Sequence, residues 1–227
     1  MSRLILKRFL QIAVIAVMQA AILMAAAGRL AWTWGWAHVA LYALTVVVNS
    51  LVLLPRHPEL IAERAEAKEG TKGWDRVLAL LVSLIGPMAI WVVAGLDERF
   101  GWTPETSLSA RLAGAGLIVA GYGVFSWAMV SNKFFAGVVR IQKERGHQVA
   151  TAGPYRYLRH PGYVGMVMFT LGAPLLLGSA WAFVPAGATV LLTVLRTALE
   201  DATLQRELDG YKDYAARVRY RLLPGVW

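Results

Sequence analysis

Residues 112–130 read LAGAGLIVAGYGVFSWAMV, a stretch with no charged side chain. Its length approaches the roughly 20 apolar residues that a helix needs to cross the hydrocarbon core of a bilayer. Gly114, Gly116, Gly121 and Gly123 let neighbouring backbones come close, or leave room for a ligand. The stretch reads as a membrane-spanning helix, and its surroundings say whether it has companions.

Five further apolar runs of similar length lie at residues 9–27, 37–54, 77–96, 163–179 and 181–199. Only Gly178, Ser179 and Ala180 are available to turn the chain between the last two, so these form a tight helical hairpin, short enough to be partly re-entrant. The composition agrees: 16% of residues are charged, against about a quarter in soluble domains. Mean hydropathy is +0.51. The expected fold is all-α, a polytopic transmembrane bundle of about six spans.

All 23 Lys and Arg can be placed on this plan. The loops that alternate with the N-terminal segment and the tail are basic, whereas the opposite side carries only Arg29, Arg99 and Arg111. By the positive-inside rule both termini are cytoplasmic. The net charge of +9 belongs to residues beside membrane spans, so it suits anionic lipid headgroups rather than nucleic acid. Without cysteine there is no disulfide and no thiol nucleophile. Four scattered histidines and no His-Glu-x-x-His point to no metal site. Ala25-Ala26-Ala27 before Gly28 resembles a signal-peptide end, but the preceding run is long, so an uncleaved first span is expected.

Three further local readings follow. Trp32, Trp34 and Trp36 suit headgroup anchors. Residues 56–76, with five acids and five bases, read as a solvated connector with a short helix over 58–68. Apolar Leu204, Leu208, Tyr211, Ala215 and Val218 fall at helical steps, which predicts a C-terminal amphipathic cytoplasmic helix over 200–218, lying on the membrane surface or over the bundle.

The chemistry concentrates in two places. Arg-His-Pro occurs at residues 56–58 and again at 159–161. The first copy stands in a plain helix edge, so the tripeptide alone means little. The second follows Gly153-Pro154-Tyr155, leads through Gly162 and Tyr163 into a span, and lies near His147. Prolines and glycines hold this backbone in an irregular shape, which at a membrane is tolerated only beside protein or a cavity. The second place is the end of the last apolar run, where Arg196 and Glu200 share a helix face and form a membrane-edge ionisable pair. Together they describe a pocket with aromatic groups for a purine, a carboxylate for an ammonium and a guanidinium for a carboxylate or phosphate.

The string His147-Gln148-Val149-Ala150-Thr151-Ala152-Gly153-Pro154-Tyr155, then Arg159-His160-Pro161-Gly162-Tyr163-Val164-Gly165, resembles the signature of the isoprenylcysteine carboxyl methyltransferase family. Arg196, Glu200-Asp201, Tyr211 to Tyr214 and the ending Arg221-Leu222-Leu223-Pro224-Gly225 continue it in order. The resemblance covers residues 112–227, with Glu200-Asp201 where the family often has two glutamates. Residues 1–111 match only in being membrane-spanning, so they form the N-terminal helices of one integrated membrane domain whose catalytic core is 112–227.

The resemblance implies an S-adenosylmethionine-dependent methyltransferase acting on a lipid-like or hydrophobic small-molecule acceptor. It implies that Gln142, His147, Gln148, Val149, Ala150, Tyr155, His160, Pro161, Gly162 and Tyr163 line the cofactor site, that Glu200 holds its methionine part, and that Arg196 is catalytic, orienting an acceptor carboxylate. Phospholipid amines and small thiols remain alternative acceptors. An NADPH-dependent sterol-type reductase and a non-enzymatic scaffold or transporter are the other readings.

Overall fold

The computed structural model describes residues 2–58, 60 and 70–227. All six expected spans are helices: α1 (Ser2–Ala27), α2 (Thr33–Leu53), α3 (Gly73–Phe100), α4 (Leu108–Val130), α5 (Pro161–Leu177) and α6 (Phe183–Glu207). All but α5 outlast their apolar runs, because the backbone ladder continues into polar residues at the membrane edge. Five are long and apolar enough to cross a membrane. With 17 residues, α5 extends about 26 Å at 1.5 Å per residue, a little short of a typical hydrocarbon core. Most of the helix expected over 58–68 lies outside the described residues.

Glycines set how the bundle closes. A methyl group on Gly121 would stand 2.7 Å from the Gly165 carbonyl oxygen, and one on Gly114 2.5 Å from the Leu176 nitrogen. Gly165 and Gly172 meet α4 just as closely, so α4 and α5 pack backbone to backbone as antiparallel neighbours. Gly116 and Gly123, expected to share this role, have open space around them. Two residues along a helix is more than half a turn, which puts them on the opposite side.

Gly178, with φ 76°, ends α5 in a left-handed cap, and Ser179 N–H returns to the Pro174 carbonyl at 3.0 Å. This closes the predicted hairpin. Around the bundle, α1 touches α2, α2 touches α4, α4 touches α5, α5 touches α6, α6 touches α3, and α3 returns to α1. A ring of six helices leaves an interior.

One end of that interior is filled by Leu23, Met24, Trp32, Ile90, Trp91 and Leu177. Trp32 is only 2% exposed, so it is a core residue rather than a headgroup anchor. Trp34 stacks under the Arg111 guanidinium, 4.9 Å from ring centroid to charge. Trp36 alone faces outward, 47% exposed, with Nε1 donating to the Leu30 carbonyl. Exposed Leu6, Val17 and Leu191 form the outer surface a lipid environment requires.

The predicted tail helix is broken. α6 runs to Glu207, Leu208 turns extended, and Gly210 at φ 78° starts a second helix, α7 (Tyr211–Arg217). The break folds the apolar stripe inward: Leu208, Tyr211 and Tyr214 pack on Ala128 and Tyr155. The tail therefore closes the bundle instead of lying on a membrane surface.

Candidate functional site

The segment from Ser131 to His160 leaves α4, makes two short 3-10 turns and enters α5. Gly153 could hardly be another residue: its φ is +58°, and a Cβ would meet the Ser131 side chain. Gly162 brings the start of α5 against the Phe135 ring, 2.8 Å from where a Cβ would sit. Local glycines thus press this irregular stretch onto the bundle.

Gln142 ties the stretch together. Its Nε2 donates to the Phe134 carbonyl at 2.6 Å and its Oε1 accepts from Arg145. Its backbone N–H donates to His147 Nδ1 at 3.3 Å, which leaves the His147 proton on Nε2. Burial, with Arg140 and Arg145 adding to it, lowers the His147 pKa to about 4. The imidazole is neutral at physiological pH. Burial likewise raises the Tyr155 phenol, whose oxygen accepts from Asn132.

Arg159 and His160 converge on Asp201, which is wholly buried. Arg159 Nε and Nη2 donate at 2.8 and 3.0 Å, His160 Nε2 lies 3.1 Å away, and Tyr211 OH donates at 2.9 Å. Arg221 and Gln205 complete the shell. Arg159 Nη1 also bonds the carbonyls of Val218 and Arg219, so this hub fastens the tail over the loop. The earlier Arg-His-Pro does something different: His57 Nε2 meets the Val130 carbonyl at the end of α4.

Arg196 and Glu200, one turn apart on α6, do not pair with each other. Arg196 Nε and Nη2 grip both oxygens of Asp75 at 2.7 and 3.1 Å, and Nη2 also donates to the Gly137 carbonyl. Glu200 Oε2 accepts the Tyr163 hydroxyl at 2.5 Å. The Tyr163 ring lies under the Arg196 charge at 5.5 Å.

Asp75, the partner of Arg196, is a candidate-site residue that the sequence did not single out. It sits in the connector read as solvated, yet its side chain is wholly buried and its Oδ2 accepts the Val139 N–H at 2.6 Å. Lys72 extends the attachment through its ion pair with Glu207. The only signal was an acid in the first turn of a span, facing an arginine that needed a counter-charge.

A cavity of about 600 Å³ joins these parts, within the range of small-molecule sites. His147, Gln148, Val149, Ala150, Tyr155, His160, Gly162, Tyr163, Arg196 and Glu200 all line it. Gln142 and Pro161 do not: one is spent on the loop, the other is buried at the start of α5. From this polar chamber the cavity continues between the helices, past Tyr42, Asn49, Val82, Trp91 and Phe125. On α3 its wall includes Val82, Ser83 and Leu84 of a π-helical turn at Leu81–Ile85, a distortion found often at functional sites.

Comparison with known proteins finds similarity over the part of the chain that carries most of these residues. Residues 114–206 match the model of the isoprenylcysteine carboxyl methyltransferase family. Over this stretch the chain is similar to that family. The protein-S-isoprenylcysteine O-methyltransferase of Rattus norvegicus is 30% identical over 146 residues, 59% of this chain and 48% of the relative. That of Schizosaccharomyces pombe is 37% identical over 65 residues, 28% of each chain. The Arabidopsis thaliana protein-S-isoprenylcysteine O-methyltransferase B is 26% identical over 102 residues, 44% of this chain and 48% of the relative.

The chain spans about half the length, or less, of these relatives. With several membrane-length apolar helices and this likeness, it is a multi-pass membrane protein. The family match contains the loop, Arg196, Glu200 and Asp201, whereas Asp75 and the closing helix α7 lie outside it.

Proposed function

We propose that the chain is a membrane methyltransferase that takes a methyl group from S-adenosylmethionine and passes it to a carboxylate on a lipid-like acceptor. The observation that carries this reading is the single cavity in which a polar chamber under the loop opens into an apolar cleft between helices, with Arg196 and Glu200 at the join. A water-soluble donor and a bilayer-derived acceptor need such a junction.

The donor's chemistry matches the chamber. Phe134, His147 and Tyr155 offer aromatic faces for a purine. The His147 imidazole, neutral with its proton on Nε2, adds a donor without a second positive charge near a sulfonium. Glu200 has one oxygen engaged by Tyr163 and the other left for an ammonium. When bound, S-adenosylmethionine supplies an already activated methyl group, so a carboxylate acceptor needs no general base and leaves as a neutral ester.

The protein's own task is then to position and to exclude water. Arg196 is held from two sides by Asp75 and Gly137, so its orientation is preset. Its Nη1 has no hydrogen-bond partner among the described residues and is free to direct an acceptor oxygen. Phe125, Trp91 and Val82 keep the acceptor side dry. The Asp201 hub keeps α7 shut over the chamber. The distribution of basic residues supports an orientation with the loop end, and with it both termini, in the cytoplasm.

Calorimetry on the purified protein tests the donor directly. S-adenosylhomocysteine should bind and NADPH should not. Binding of NADPH alone would replace this reading with a reductase.

A further inference from the structure

Three contacts fix the depth of Arg8 in the bundle. Gly95 of α3 meets Leu23 and Ala26 of α1, and both helices start at the loop end. Stepping back equally along the two parallel helices brings Arg8 beside Ala79. Gln19 bonds His38 across α1 and α2; these run antiparallel, so the same stepping brings Arg8 beside Asn49. Gly86 meets Thr189 across α3 and α6, which sets Ala79 level with Arg196. Arg8, Asn49, Ala79 and Arg196 therefore form one layer, and all four line the cavity.

The charges of this layer do not balance. Arg196 is neutralised by the bidentate Asp75, and Glu200 lies one turn nearer the loop, bonded to Tyr163. Arg140 is paired with Glu144, and Arg159 with Asp201. Among the described residues no carboxylate pairs with Arg8; its electrostatic neighbour is the Tyr42 phenol, also in the cavity wall. A partly buried guanidinium beside apolar walls calls for an anion.

We propose that Arg8 is the acceptor's counter-charge, binding the carboxylate that Arg196 directs. Resting on the carboxyl-methylation reading, this divides two tasks between two arginines. Arg196, its charge cancelled, gives direction, and Arg8 gives net attraction. The attraction disappears when the carboxylate becomes an ester, so Arg8 also discriminates acceptor from product.

The test uses the full chain in detergent with a dansyl-tagged undecanoic acid and its methyl ester, read by dansyl emission. The acid should bind about tenfold or more tightly than the ester, as a charge-assisted contact implies. Arg8→Gln should erase that preference and Arg8→Lys keep part of it, with S-adenosylhomocysteine affinity unchanged in both. If Arg8→Gln keeps the full preference, or if the wild-type chain shows none, Arg8 is only a headgroup anchor and the proposal falls. If the preference depends on Arg8 but S-adenosylhomocysteine does not bind, the anion site stands and the methyl-transfer reading fails.

Discussion

Arg196 and Asp75, 121 positions apart, form a two-bond pair inside the bundle, Nε to Oδ1 at 2.7 Å and Nη2 to Oδ2 at 3.1 Å. The pair joins the start of α3 to the middle of α6 at the cavity wall. Removing one partner strands the other's charge, which typically costs 3–5 kcal/mol. Asp75→Ala should therefore lower thermal stability by about that order. The double variant Asp75→Leu with Arg196→Met should recover much of the stability, read by tryptophan fluorescence on heating, but none of the turnover. Equal stability of Asp75→Ala and wild type would show that the pair does not hold the fold.

Glu200 carries the donor's ammonium in this account. Glu200→Gln removes a charge-assisted bond of roughly 1.5–3 kcal/mol, so S-adenosylhomocysteine affinity should fall by about tenfold or more. Tyr163→Phe removes only the hydroxyl that steadies Glu200 and should cost less. Calorimetry with unchanged affinity for Glu200→Gln would remove that assignment.

The α4–α5 seam makes a sharp contrast between neighbouring glycines. Gly121→Ala should destabilise strongly, because its Cβ would stand 2.7 Å from a backbone oxygen. Gly116→Ala meets nothing within 4 Å and should be neutral or slightly stabilising, since alanine is the better helix former. Thermal melting of the two variants in the same detergent checks the ranking.

His147 links the loop to pH. Its folded-state pKa, about 4, lies below the ordinary 6.5, so on acidification the unfolded chain takes up a proton first. Its contribution to stability is complete above about 6.5 and is lost as pH falls towards about 4. S-adenosylhomocysteine affinity should be flat through neutral pH and weaken as pH approaches about 4. His147→Gln should flatten the loss of stability between those values.

Much of this was visible in the sequence because membrane helices announce themselves by length and hydrophobicity. The loop signature and the i, i+4 placement of Arg196 and Glu200 likewise brought residues of one cavity wall together. What stayed hidden depends on tertiary contact. Asp75 looked solvated because nothing local reveals that Arg196 is its partner. Trp32 looked like an anchor because burial depends on helices that arrive later in the chain. The stripe through Leu204, Leu208 and Tyr211 is real, but Asp209-Gly210 breaks its helix and turns it onto Tyr155. Gln142 stands before the loop signature at a spacing that differs from the family pattern, and its side chain is consumed by Phe134 and Arg145.

The central claim is carboxyl methylation at a junction between water and bilayer. The most direct measurement incubates the purified protein in lipid with methyl-labelled S-adenosylmethionine and a long-chain carboxylate, then treats the extract with mild base. The account predicts label in the lipid fraction that base releases as methanol, and its loss in Arg196→Gln while S-adenosylhomocysteine still binds. Label that resists base, or none at all with donor and acceptor both bound, would contradict it.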